Sequence, residues 1–213
     1  MKISKLGHCC LVIEEKGIRI MTDPGAYSTL QNEEKNIDYI FITHEHQDHF
    51  HLESLKVVLK NNSRAKIVTN RGVGKLLDAE KIPYELLEHR GAKEFSGVHV
   101  EGCGENHAVI YPGFKMGDVQ NTGYFFANRF FYPGDAFYDP GKPVEILALP
   151  VAGPWMKISE AIDYAKLLKS KVCFPVHDAS LKSTSFIHSI PQKFLPPFGI
   201  EFVEILEGST RKF

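Results

Sequence analysis

Short apolar runs separated by turn residues open the chain. Residues 1–6 alternate loosely, and Cys10-Leu11-Val12-Ile13-Glu14 and Ile18-Arg19-Ile20-Met21-Thr22 follow on either side of Glu15-Lys16-Gly17. Runs of this length bounded by turn residues predict strands. Asp23-Pro24-Gly25 ends the third run. Tyr39-Ile40-Phe41-Ile42-Thr43 is apolar enough to predict a buried strand. The period then changes. Leu52, Leu55, Val58 and Leu59 fall at i, i+3, i+6 and i+7, one face of a helix. Lys66-Ile67-Val68-Thr69 predicts another strand and residues 72–80 a short helix. This is a strand–helix–strand–helix alternation.

The second half repeats the style. Residues 98–103 alternate with period two, and residues 122–126 and 129–132 predict a hairpin around Ala127-Asn128. Residues 144–151 predict a strand. Residues 159–169 predict a helix that places Ile162, Ala165 and Leu168 on one face. Residues 172–176 form a strand pattern that runs into His177, and residues 202–206 predict the last strand. Residues 183–199, with three prolines, read as a surface excursion with a little helix. No internal repeat, linker or low-complexity stretch stands out.

At 213 residues the chain suits one domain spanning 1–213. Its 25 basic and 26 acidic residues leave a formal charge of -1, which argues against a nucleic-acid partner. No apolar run approaches the roughly 20 residues that span a bilayer. His8, Glu14, Glu15 and Lys16 interrupt any secretory leader. Cys9, Cys10, Cys103 and Cys173 form no C-x-x-C pair and read as small buried hydrophobes, which fits a reducing, cytoplasmic compartment.

Histidine is what changes the picture. The strand at 39–43 runs straight into His44-Glu45-His46-Gln47-Asp48-His49. Imidazoles and a carboxylate packed at a buried strand end are costly unless something binds them. Imidazole nitrogen and carboxylate oxygen suit zinc, and also iron or manganese. In an extended segment His44 and His46 point to the same side and can grip one ion. Asp48 and His49, in the turn before the helix, can face a second. Further ligands are then expected at other strand ends. His107, Asp135 and His177 each follow a predicted strand.

Taken in order, these motifs resemble the metallo-β-lactamase superfamily over nearly the whole chain. Gly7-His8-Cys9-Cys10 with Asp23-Pro24-Gly25 resembles the first motif, and His44-x-His46-x-Asp48-His49 the second. His107, Asp135 and His177 match the third, fourth and fifth. The Gly-His start and the Asp-Pro-Gly turn are most similar to the branch of L-ascorbate-6-phosphate lactonase-like proteins.

The resemblance implies an α+β fold, a four-layer αβ/βα sandwich with metals at one edge between two sheets. It implies that His44, His46 and His107 hold one divalent ion, zinc first, with manganese or iron(II) as alternatives. Asp48, His49 and His177 would hold a second ion, Asp135 would bridge, and Asp23 would orient a ligand histidine. A water between two dications is acidified and can attack as hydroxide near neutral pH. Asp48 could add acid–base work to ligation. The expected activity is hydrolysis of a small ester, lactone or phosphodiester. The substrate is expected to be an anionic small molecule, because two carboxylates and one hydroxide do not cancel two dications.

A nuclease of the same fold is the first alternative, weakened by the neutral charge. An iron-dependent oxidoreductase is the second. Its diiron form typically has Glu where this chain has His46, while a persulfide dioxygenase keeps the histidine. His8 reads equally as a substrate contact or a buried network partner, and Trp155 and Lys157 as pocket lining or plain loop. His51 reads as a helix starter. His89, His99 and His188 read as surface or strand residues.

Overall fold

The structure is a computed structural model and describes residues 1–114, 116 and 118–213. The strands are β1 (Lys2–Lys5), β2 (Leu11–Glu15), β3 (Ile18–Thr22), β4 (Tyr39–Phe41), β5 (Lys66–Thr69), β6 (Tyr84–Leu86) and β7 (Ala92–Phe95). The rest are β8 (Val98–Cys103), β9 (Gly123–Phe126), β10 (Phe130–Tyr132), β11 (Ile146–Pro150), β12 (Val172–Val176), β13 (Glu201–Phe202) and β14 (Thr210–Lys212). The helices are α1 (Leu52–Asn61), α2 (Arg71–Ala79), α3 (Ile158–Leu167) and α4 (Ser185–Phe194).

The strands make two seven-stranded sheets, ordered β14-β1-β2-β3-β4-β5-β6 and β13-β12-β11-β10-β9-β8-β7. Each runs through three antiparallel pairings and then three parallel ones: from β14 to β6 in the first sheet, from β7 to β13 in the second. The two halves thus share a topology that leaves no visible repeat in the sequence.

Side-chain alternation sorts the apolar residues into three cores. Leu11, Ile13, Phe41, Tyr124, Phe126, Phe130, Phe174 and Val176 meet between the sheets. Their neighbours Val12, Ile40 and Ile42 turn outward onto Leu55, Val58, Val73 and Leu77 of α1 and α2. On the other sheet Phe125, Phe131, Leu147, Leu149 and Cys173 turn outward onto Ala161, Ile162 and Ala165 of α3. Period two in each strand therefore gives one face to the partner sheet and one to a helix layer. The result is the expected four-layer αβ/βα sandwich. Among the described residues no helix is long and apolar enough to cross a membrane.

Several expected boundaries move. The strand expected at 39–43 ends at Phe41, because Thr43 is drawn into side-chain hydrogen bonds with Asp23. The strand expected at 202–206 is only Glu201–Phe202, and the chain returns as β14 to pair with β1. The excursion at 183–199 contains a ten-residue helix, α4, with Pro191 inside it. The hairpin at 127–128 is as expected, with Ala127 and Asn128 at φ 52 and 54, the left-handed pair that a twisted two-strand connection favours.

Candidate metal centre

The strand ends of the two sheets meet at one edge, and the residues singled out by the sequence lie there. Asp23 follows β3, His44 to His49 follow β4, and His107, Asp135 and His177 follow β8, β10 and β12. His8 lies between β1 and β2. Backbone bonds stitch the sheets together at this edge. Thr122 N–H donates to the Thr43 carbonyl at 3.0 Å, and His177 N–H to the His8 carbonyl at 3.0 Å. Two glycines make the close approaches possible. A Cβ on Gly25 would sit 1.8 Å from the Asp48 carbonyl oxygen. One on Gly134, at φ +65, would sit 2.3 Å from Asn121 Oδ1.

One ligand atom from each of His44, His46, His107 and Asp135 falls within 4.8 Å of the others. Hydrogen bonds on the outer side of each ring decide which nitrogen faces inward. Thr43 Oγ1 donates to Asp23 Oδ2 at 2.7 Å, so it accepts from His44 Nδ1–H at 3.0 Å and leaves Nε2 bare. His46 donates from Nε2 to the Met116 carbonyl at 2.6 Å and leaves Nδ1 bare. His107 donates from Nδ1 to the Ala108 carbonyl at 2.6 Å and leaves Nε2 bare. The bare nitrogens of His44 and His46 are 3.1 Å apart, with no proton between them under this assignment. Two facing lone pairs repel unless a cation sits between them.

Asp48, His49 and His177 form the neighbouring group. His49 donates from Nδ1 to Asp23 Oδ2 at 2.7 Å, so the nitrogen left to face an ion is Nε2, 3.1 Å from Asp135 Oδ1 and 4.0 Å from Asp48 Oδ2. His177 Nε2 lies 2.9 Å from Asp135 Oδ2 and 3.3 Å from Asp48 Oδ2. Among the described residues, both ring nitrogens of His177, Nε2 of His8, of His49 and of His107, and Oδ1 of Asp135 are buried without an aligned hydrogen-bond partner. Buried polar atoms are rarely left so, and a cation satisfies them together. The donor set of imidazoles and carboxylates therefore fits divalent metal.

His8 and Cys9 also lie within 4.8 Å of His49 and His177 ligand atoms. Distance alone would make His8 a ligand, and its chemistry argues otherwise. Its Nδ1 accepts the Ala179 N–H at 3.1 Å, so its proton is on Nε2, which lies 3.3 Å from Asp48 Oδ2. It presents a donor, not a lone pair. Of the two sequence readings of His8, the structure puts it in the site as a network partner of Asp48. Cys9 is buried as expected, but beside two imidazoles as well as in the inter-sheet core.

Asp135 stands between the groups. Its Oδ2 is 3.3 Å from His107 Nε2 and 3.9 Å from His44 Nε2 on one side, and 2.9 Å from His177 on the other. That is the position a bridging carboxylate needs. Asp23 accepts from Thr43 N–H, Thr43 Oγ1, His49 and Tyr132 OH at 2.6–2.8 Å, so it touches no candidate ion and orients His49 instead. Asp23 at φ 37 and His177 at φ 63 hold left-handed backbone that non-glycine residues adopt rarely, and this strain sits at the site.

Burial pushes the pKa of His44 and His46 below the ordinary histidine value, as it does for His8. Burial opposes charge on His49 and His177 too, but Asp135 and other anionic neighbours outweigh it and raise both. Asp48 and Asp135 resist burial for the same reason in reverse. The histidines around them hold both carboxyls well below the usual carboxylate range.

Other expectations resolve plainly. His51 caps α1, its ring accepting the Ser54 N–H, and Lys157 is exposed at the start of α3. His99 lies on β8 as expected, and His89 accepts the Gly104 N–H. His188 corrects the surface reading: it is 5% exposed, because α4 presses it onto Asp178, 3.0 Å from Oδ2. Trp155 is no plain loop residue, since its indole N–H donates to Asp135 Oδ2 at 3.0 Å. The sequence reading missed Tyr132, Thr43 and Asn121, which hold Asp23, His44 and the Asp135 backbone. Their position beside the motif residues was the only available signal.

The profile of the beta-lactamase superfamily domain matches residues 2–177. Protein Rv0786c of Mycobacterium tuberculosis is 32% identical over 184 residues, 84% of this chain and 84% of its own. A UPF0173 metal-dependent hydrolase of Carboxydothermus hydrogenoformans is 26% identical over 197 residues, 83% of this chain and 84% of its own. In fold, the chain is similar to Igni18, a metallo hydrolase of the archaeon Ignicoccus hospitalis. That likeness has a TM-score of 0.75 and 20% identity, and covers 100% of this chain and 98% of that one.

Proposed function

The chain belongs to the metallo-β-lactamase superfamily, and we propose that it holds two divalent ions, zinc first, and uses them to hydrolyse a small anionic ester, lactone or phosphodiester. That it is a metal-dependent hydrolase rests on the family and on the relatives that carry that name. The observation that carries the two-ion reading is the pinning of His44, His46, His107 and His49 by their outer nitrogens. Their inner nitrogens converge on either side of Asp135.

Bound there, divalent ions would supply Lewis acidity and lower the pKa of a water toward neutrality. The chain's own groups do the rest. Asp48 is the site carboxylate nearest the opening, with its side chain 20% exposed against 3% for Asp135. Its Oδ2 can take a proton from the attacking water. The proton that Asp48 takes up can pass from the same Oδ2 to the leaving group, and His8 Nε2, 3.3 Å away, helps to hold that carboxylate in place. Asp135 separates the two sets of imidazoles, and Asp23 keeps His49 in the tautomer that faces inward. Two carboxylates leave a pair of dications under-neutralised, which supports an anionic substrate.

Gly7-His8 and Asp23-Pro24-Gly25, which resemble motifs of the lactonase-like branch, make a sugar-phosphate lactone the first compound to test. Four free, buried cysteines support a reducing, cytoplasmic setting. The test is elemental analysis of the purified protein and a screen against lactones, phosphodiesters and thioesters, with oxygen uptake followed on a persulfide. Chelator-sensitive turnover of one hydrolytic class is expected. Metal-loaded protein that turns over none of them, or that consumes oxygen with persulfide, sinks the reading.

A further inference from the structure

The chain has a single tryptophan, Trp155, in the loop between β11 and α3. The residue is 9% exposed, and its ring packs edge-on against Phe137 with centroids 5.2 Å apart. Gly153 lets the indole lie over the backbone, since a Cβ there would sit 2.8 Å from Nε1. The far side of the ring faces the site, with centroids 6.0 Å from His107 and 6.1 Å from His177.

An indole N–H only donates, so the 3.0 Å contact fixes Asp135 Oδ2 as acceptor. This is the oxygen that faces His44, His107 and His177, while Oδ1 faces His49. Asn121 Oδ1 holds the Asp135 backbone N–H at 3.0 Å, which sets where the residue starts but not how its carboxylate is turned. Trp155 supplies that second anchor.

We infer that Trp155 is a positioning residue that clamps the bridging carboxylate of Asp135, and that its emission is an internal reporter of metal occupancy. The inference rests on the metal-site reading above. Without the indole proton the carboxylate can rotate, and Oδ2 no longer serves both groups of imidazoles. Residues that orient a ligand typically change metal affinity by about 10- to 100-fold when removed.

The experiment uses metal-free full-length protein, as wild type and as Trp155→Phe, which keeps an aromatic ring against Phe137. Zinc stoichiometry of the wild type by elemental analysis tests the metal site by itself. No bound zinc overturns that reading and this one together. With zinc bound, Co2+ titrated into the metal-free wild type is expected to quench the tryptophan in step with occupancy. Unchanged emission at full occupancy overturns the inference. Competition with a chromophoric chelator is expected to show zinc held about 10- to 100-fold more weakly by Trp155→Phe, with the melting temperature of the metal-free protein unchanged. Equal zinc affinity with a lowered melting temperature would assign Trp155 a packing role only and overturn it. If the variant does not fold, the wild-type cobalt titration still decides.

Discussion

Asp23 and His49 are joined by a 2.7 Å hydrogen bond in which the ring donates from Nδ1, so a residue outside the ion positions decides which nitrogen enters them. Asp23 does this while also accepting from Thr43 and Tyr132, all inside a fully buried pocket. Asp23→Asn keeps the size but turns one acceptor oxygen into a donor. We expect roughly 10- to 100-fold weaker zinc binding and a loss of about 1–3 kcal/mol of stability from the mismatched buried donors. Chelator competition and urea unfolding measure the two effects. Wild-type zinc affinity in Asp23→Asn would refute the orienting role.

His8 separates proximity from ligation. Its inward nitrogen carries a proton because Ala179 N–H occupies the other one. His8→Ala should therefore keep the full complement of metal while turnover falls roughly 10- to 100-fold, the range for removing a group that supports a site residue. His46→Ala and Asp135→Ala, which remove lone pairs, should lose metal and turnover together while the chain still folds. Elemental analysis beside turnover on the same samples distinguishes the cases. Loss of metal from His8→Ala would make it a ligand after all.

Protons and metal compete differently at the two groups. His44 and His46 are held below the ordinary histidine value, so at neutral pH their inward nitrogens carry no proton for a metal to displace. His49 and His177 are held above it by their carboxylate neighbours, so the metal-free protein keeps protons there into the neutral range. Metal at the second group must displace them, and affinity there should rise as pH rises through that range. Zinc added in weak buffer near neutrality should release little acid with an equivalent bound by His44 and His46, and more with one bound by His49 and His177. Equal release from both would contradict the assignment.

What the sequence displayed and what it hid divide along physical lines. His44, His46, Asp48 and His49 were legible because they are adjacent, and because a strand cannot end in such residues without a reason. His107, Asp135 and His177 were legible as strand ends. Strand β14 was not, since Thr210-Arg211-Lys212 is exposed and polar and becomes a strand only by pairing with β1. Strand β6 was missed for a related reason: all three of its residues are only partly buried, so no alternation marks it. His188 and Trp155 each stand alone in the sequence. Their partners, Asp178 and Asp135, come to them through folding, and no local spacing encodes that.

The least legible feature is a charge network behind His177. Lys5 Nζ lies 2.8 Å from both oxygens of Asp178 and 3.0 Å from the Pro175 carbonyl, and His188 holds the same carboxylate from the other side. All three residues are at most 5% exposed. Burial penalises the Asp178 charge, but His188 and Lys5 outweigh it and keep the carboxyl below its usual range. Removing one member leaves a buried charge without its partner. Lys5→Met should therefore cost about 3–5 kcal/mol in denaturant unfolding. Adding Asp178→Asn to it removes the stranded charge, so the double variant should be destabilised by less than the sum of the singles. The same network holds the turn in which His177 keeps its left-handed backbone and Ala179 sets the tautomer of His8. Lys5→Met should accordingly bind zinc more weakly although Lys5 touches no ligand. Strictly additive unfolding energies, with zinc affinity unchanged in the folded variant, would show that the network neither couples these residues nor supports the site.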